Sequence, residues 1–194
     1  LAESLPEYSE DGKTVTVKLR SGVTFHDGTP FNADAVINTF NCIKDPDFGS
    51  TRASLASSIE SMEAPDENTV VFHLSYPDGV FLAKLSHVNS AIVSPTAQQN
   101  QDLMVQPCGT GPYKFVSAVS GSNVVLTRND EYWGQKAQIK DVTYTVITEE
   151  STALSRLETG EADLMPSITV ENLSRVEAMP NVTLATGDTA QIYY

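Results

Sequence analysis

The chain has 194 residues, 40 % of them hydrophobic and 19 % charged, an ordinary balance for a globular protein with one good core or two small ones. Its 25 acidic against 12 basic side chains give a net charge of −13, which argues against a nucleic-acid partner and against docking on anionic membranes, both of which need a basic face. No apolar stretch approaches the roughly 20 residues of a membrane span, and the acids are scattered rather than gathered into a tail.

Taken in order, the first element is a strand. Thr14 to Leu19 alternates as a half-buried strand does, after the turn Asp11-Gly12. Asp27-Gly28 is a second turn, and Asn32 can cap a helix reaching about Ile43. Ala35, Val36, Thr39, Phe40 and Ile43 recur at helical spacing as its buried face, and Asp45-Pro46-Asp47 stops it. Ile59–Ala64 and Thr69–Leu74 predict a hairpin around the turn Pro65–Asn68. Asp78-Gly79 leads a short apolar helix, Val80 to Leu85, and Ala91–Val93 reads as a short strand. Ser94-Pro95 opens another helix, with serine as cap and proline at the first position.

A second block begins near Gln106-Pro107. Gly109-Thr110-Gly111-Pro112 forces an irregular backbone, and strands follow from Tyr113 and over Val124–Thr127, joined by the turn Ser120–Asn123. The loop Asp130–Gly134 carries the single tryptophan, Trp133, expected to plug a core. Val142–Ile147 is the best strand pattern in the chain, and a helix over Glu149–Thr159 ends at Gly160. Ala162–Met165, Val182–Leu184 and Gln191–Tyr194 read as strands, with a helix capped by Thr169 running to about Ala178. The order of elements predicts a mixed α/β fold (α+β in its segregation). The start at Leu1-Ala2-Glu3 and the stop at Tyr194 in mid-strand lead us to expect a piece of a longer protein.

Chemistry is hard to find. His26, His73 and His87 lie in different elements with no metal-ligand spacing, so no metal and no cofactor is expected. There is no nucleophile-elbow motif. Gly109–Pro112 lacks the Lys-Ser/Thr of a phosphate loop. A secreted enzyme using Cys108 or a serine is the reading from another class, and it requires a histidine within hydrogen-bond reach of Cys108. Cys42 and Cys108 have two readings. One is a disulfide closing a long loop, worth about 4 kcal/mol in the chain-entropy model; the other is two buried free thiols. Tyr193 and Tyr194, at the end of a strand leaving the domain, suit the wall of a cleft.

Five strings carry a resemblance: EDGKTVTVKLRSGVTFHDGTPFNADAV from Glu10 to Val36, GTGPY from Gly109, LTRNDEYWG from Leu126, VTYTVI from Val142 and LETGEADL from Leu157. In this order they resemble the family-5 extracytoplasmic solute-binding proteins of peptide, nickel and related ABC importers, along essentially the whole chain. Asp130 stands where that family usually has proline, and Ala162 where it has isoleucine or valine. The resemblance implies a two-lobed, periplasmic-binding-protein-like fold of type II, of which this chain holds most of the first lobe and none of the second. Residues 1–105 would be an accessory subdomain of that lobe. Residues 106–194 would be part of its mixed-sheet domain, ending at the crossing to the other lobe. The implied activity is capture of a solute by lobe closure, most naturally a di- or oligopeptide, with a nickel chelate or another small solute as the alternative within the family. No enzyme activity is implied. Implied ligand contacts are Thr51, Arg52, His87, Asn89 and Ser90, joined by Tyr193 and Tyr194 at the strand end. Implied partners are the solute and the ABC-transporter permease, for a monomer on the periplasmic or extracellular face of the cytoplasmic membrane, with a lipid anchor as an option.

Overall fold

The computed structural model describes residues 1–187, in two compact units: Leu1–Val119 with Val124–Tyr144, and Ser120–Asn123 with the chain from Thr145 onward. No helix among the described residues is long and apolar enough to cross a membrane.

In the first unit, β1 (Glu7–Tyr8), β2 (Thr14–Lys18), β3 (Ile59–Asp66) and β4 (Thr69–Leu74) form an antiparallel sheet in the order β1-β2-β4-β3. The alternation in β2 does what its period requires. Val15 and Val17 are buried and Thr14 and Thr16 half-buried, with Val15 opposite Phe72 and Val17 opposite Val70. Helix α1 (Ala33–Lys44) packs on β3 and β4 and buries Ala33 together with all five residues expected from its spacing. Its cap is Asn32, whose side chain accepts from the Ala35 N–H at 3.0 Å. Phe40, Phe72 and Phe81 meet edge to face, with centroids 5.6 and 5.3 Å apart, at the centre of this core.

The hairpin is tighter than expected. Asp66 pairs with Thr69, so the turn is Glu67-Asn68 and β3 runs through Pro65. Proline fits there because β3 is an edge strand and its register shifts between Glu63 and Asp66. Helix α2 (Phe81–Leu85) and helix α3 (Pro95–Asn100) follow, the latter capped by Ser94. Between them Ala91–Val93 is not a strand. Its Val93 N–H donates to Thr39 Oγ1 at 3.3 Å instead of to a neighbouring strand. Strands β5 (Tyr113–Val119), β6 (Asn123–Arg128) and β7 (Asp141–Thr145) form a second sheet in chain order.

In the second unit, α4 (Glu150–Thr159) ends at Gly160, whose φ of +76° is the left-handed cap that glycine supplies most cheaply. A 3-10 turn, Val170–Asn172, runs into α5 (Leu173–Glu177), where one continuous helix was expected. Thr169 does not cap with its side chain. Its N–H and Oγ1 donate to the two oxygens of Glu150 at 2.7 and 2.9 Å. Leu154, Val176 and Met179 make a small core. Ala162–Met165 and Val182–Leu184 are irregular rather than strands: a strand needs a ladder partner, and none pairs with them among the described residues. Gln191–Tyr194, with the expected strand, lies outside the described residues.

Candidate functional site

Three of the strings that carried the sequence argument meet at one junction. The Asp27-Gly28 turn is closed by Asp27 Oδ1, which accepts from the Thr29 N–H at 2.9 Å, with Gly28 at φ +84°. Asp27 Oδ2 accepts from Ser94 Oγ at 2.6 Å, and Ser94 Oγ in turn accepts from the Ala97 N–H at 3.1 Å as the α3 cap. The Gly109–Pro112 loop hands its carbonyls to the other strings. Gly109 O accepts from the His26 N–H at 2.9 Å, and Gly111 O from His26 Nε2 at 2.9 Å and from Asn129 Nδ2 at 3.3 Å. Thr110 O accepts from Trp133 Nε1 at 3.1 Å, and the Arg20 guanidinium lies 5.0 Å from the centroid of the Trp133 ring. Trp133 therefore locks the loop through its indole N–H and stays partly exposed, rather than filling a core as expected.

This junction has the residue types of an active site without its arrangement. A carbonyl can only accept, so His26 Nε2 carries the proton it gives to Gly111 and is not a free base there. Ser94 donates straight to Asp27 with no imidazole between them, and Ser94 is fully buried. Burial pushes the Cys108 thiol up, and the Asp27 charge beside it adds to the rise, the reverse of what a nucleophilic thiolate needs. Burial also opposes the charge on Asp27, but hydrogen bonds from Ser94 and Thr29 outweigh it and hold that carboxyl below its usual range. The described residues contain no cluster of three or more His, Cys, Asp or Glu placed to hold a metal ion.

In the structure Cys42 and Cys108 are free thiols, Cys108 buried and Cys42 half-buried. Each sulfur has its own surroundings. Gln98 Nε2 donates to Cys42 Sγ at 2.8 Å, while Cys108 is buried against the Asp27 turn.

The expected ligand contacts sit on two exposed segments. Thr51 and Arg52 precede the 3-10 turn Ala53–Ala56, and α2 packs against that turn. Both residues are exposed, and among the described residues the Arg52 guanidinium has no hydrogen bond or ion pair. His87 caps a second 3-10 turn, Val88–Ser90, by accepting the Asn89 N–H on Nδ1 at 3.1 Å. Asn89 is exposed with its amide uncommitted among the described residues. Ser90 is buried, its hydroxyl donating to Lys84 O at 2.7 Å. Tyr193 and Tyr194 lie outside the described residues. A surface hollow of about 450 Å³ over the start of α1, lined by Asn32, Asp34, Asn38 and Pro95, contains none of these residues.

Sequence reasoning missed the group that ties the two segments down. Asp78, read only as leading a short helix, is buried and accepts from Lys84 Nζ and from Ser58 Oγ, both at 2.7 Å, and from the Val80 N–H at 3.1 Å. Burial works against its charge, yet these three donors prevail and lower its pKa. The Lys84 partner six residues on is the one local signal; Ser58 lies 20 residues upstream, and no pattern announces it.

Comparison with known proteins gives the class. The whole chain, residues 1–194, matches the middle part of the bacterial extracellular solute-binding proteins, family 5. The glutathione-binding protein GsiB of Pectobacterium atrosepticum is 34 % identical over 187 residues, covering 95 % of this chain and 36 % of the relative. The periplasmic binding protein DppA of Helicobacter pylori, solved with the peptide STSA, superposes with a TM-score of 0.84 at 31 % identity, over 93 % of this chain and 40 % of that one. The binding protein AgaA of Agrobacterium tumefaciens R10, solved with agropinic acid, gives 0.85 at 30 % identity, over 93 % and 37 %. The chain belongs to family 5 of the bacterial extracellular solute-binding proteins. It spans little more than a third of the length of these relatives.

Proposed function

We infer that this chain is the part of an ABC importer's binding protein that supplies one wall of a solute cleft, and that the solute is a short peptide. The observation that carries the reading is the family match along all of residues 1–194, with a glutathione-binding protein and a peptide-bound protein among the relatives of comparable identity. Capture is by closure of two lobes with no covalent step, and the bound protein delivers its solute to the permease. The protein works as a monomer on the extracytoplasmic face of the membrane. Residues 1–105 form the accessory subdomain and 106–194 the sheet domain of this lobe. Arg52, with no partner of its own among the described residues, pairs with the peptide carboxylate. Thr51, His87 and Asn89 line the same wall, with Ser90 buried behind them.

The test is calorimetry on the full-length protein with reduced glutathione, a dipeptide and a tetrapeptide. At least one binds, and Arg52→Ala weakens it about tenfold, the worth of one charge-assisted hydrogen bond at the lower end. Absence of heat with every peptide, alongside binding of an opine or a nickel chelate, overturns the peptide assignment.

A further inference from the structure

We propose that Asp78 is a positioning residue that couples the two segments of the solute wall, holding the 51–58 segment and the 80–91 segment in one fixed relation through Ser58 and Lys84. This rests on the reading of those segments as the wall. The geometry is specific. Asp78 Oδ2 takes one hydrogen bond from each side: Ser58 Oγ at 2.7 Å from the segment after Arg52, and Lys84 Nζ at 2.7 Å from α2. Both links continue toward the expected contacts. Ser58 directly follows the 3-10 turn that starts beyond Arg52, and its carbonyl accepts from the Ser75 N–H at 3.0 Å, which fixes it to the end of β4. The Lys84 carbonyl accepts from Ser90 Oγ at 2.7 Å and from the His87 N–H at 3.3 Å, so the lysine that neutralises Asp78 also folds the His87–Ser90 turn back onto α2.

The burial of these groups makes the coupling strong. Ser58 is fully buried, the Asp78 side chain is 5 % exposed and the Lys84 side chain 20 %. A buried carboxylate that loses a donor is left with an unmet charge, so neither segment can drift without a penalty felt by the other. The turn Ser50–Ala56 is anchored on α1 through the buried Ala56, whereas its own backbone hydrogen bonds and those of Val88–Ser90 are the short-range kind of 3-10 turns, at 2.8 to 3.4 Å, and Asp78 supplies the direct polar link between the two segments. A binding wall that is already in place before the solute arrives loses less entropy on binding, which is what a fixed relation between Arg52 and Asn89 provides.

The experiment is backbone hydrogen exchange of the full-length protein without solute, on wild type, Ser58→Ala and Asp78→Asn, followed by calorimetry with reduced glutathione. Ser58→Ala removes one hydroxyl and leaves the Asp78–Lys84 pair in place, so it keeps the test decisive if Asp78→Asn does not fold. Coupling predicts that Ser58→Ala speeds exchange about tenfold not only at Leu55 and Ser57 but also at His87 and Ser90, on the far side of Asp78. It also predicts a several-fold loss of glutathione affinity that Ser58→Thr, which keeps the hydroxyl, restores. Faster exchange confined to residues 53–58, or unchanged exchange in both segments, overturns the coupling. A wild-type protein that binds no peptide overturns the functional reading instead, and leaves the exchange result to stand or fall by itself.

Discussion

Removing the Ser94 hydroxyl separates a structural junction from a chemical one. Ser94→Ala deletes the 2.6 Å hydrogen bond to Asp27 and the cap on the Ala97 N–H, together with a long 3.4 Å contact to the Thr29 hydroxyl. Losing a serine cap costs about 1 kcal/mol. A hydrogen bond to a charged group is worth about 1.5–3 kcal/mol, and the lower end applies because Asp27 is exposed and water replaces the lost donor. The sum of about 2.5 kcal/mol corresponds to a fall of roughly 5–10 °C for a unit of this size. The assay is scanning calorimetry of the full-length protein, paired with its affinity for reduced glutathione. The expected result is the lower melting temperature with an affinity within twofold of wild type, because the junction holds α3 and the Gly109–Pro112 loop in place and touches no solute. A melting temperature within 1 °C of wild type refutes the energetic argument. A collapse of affinity at unchanged stability refutes the structural assignment and returns Ser94 and Asp27 to the functional residues.

Four other outcomes follow from the same structure. Alkylation under non-reducing conditions labels Cys42 and Cys108 as two thiols once the protein is unfolded, and in the folded protein Cys108 reacts far more slowly than a free thiol; a mass showing neither labelled restores the disulfide. The Asp78 carboxyl, lowered by its donors against the effect of burial, contributes stability that is fully present above the ordinary carboxylate value of about 4 and is lost as the pH falls through the lower folded value, so acid denaturation of wild type is steeper below pH 4 than that of Asp78→Asn. Tyr8, raised by burial and then by the Asp78 charge, falls back toward the ordinary phenol value in Asp78→Asn, readable as an ultraviolet titration; an unmoved titration counts against the placement of Asp78. Gly160→Ala costs about 1 kcal/mol by forcing φ +76° on a residue with a β-carbon, measured as a lower melting temperature, whereas a neutral effect means that α4 ends elsewhere.

What could be read from the sequence was what is local. The α1 cap and its buried face, the alternation of Thr14–Lys18 and the glycine stop after Thr159 depend on residues a few positions apart, and each stands where the pattern put it. The misreadings share a cause. Ala91–Val93 and Val182–Leu184 carry strand-forming Ile, Val and Thr, and Ala162–Met165 the apolar Ala, Leu and Met, but a strand is made by its partner, and no single segment reports whether one exists. Pro65 reads as a turn residue from sequence, because the edge position and bulge that let it sit in β3 are properties of the sheet, not of the residue.

The same distinction orders the site. Asp27, Gly109–Pro112, Asn129 and Trp133 lie in the strings that carried the family resemblance, and the structure commits their polar atoms inside the protein: Asp27 to Thr29 and Ser94, the Thr110 and Gly111 carbonyls to Trp133, His26 and Asn129. A residue whose donors and acceptors are already matched inside the protein has nothing left to offer a solute. On the proposed wall, the side chains with unspent polar groups among the described residues are Thr51, Arg52, His87 at Nε2 and Asn89, which stand in exposed turns with no motif around them and are proposed to discriminate between a peptide and an opine. The conclusion has a sharp consequence for variants of this chain. Exchanging residues 50–53 and 87–90 for those of an opine-binding relative should move solute preference while leaving stability nearly unchanged, and exchanging the Gly109–Pro112 loop should do the opposite. Calorimetric titration with reduced glutathione and an opine, beside a melting curve for each chimera, reads both effects; a preference that follows the loop instead refutes the division.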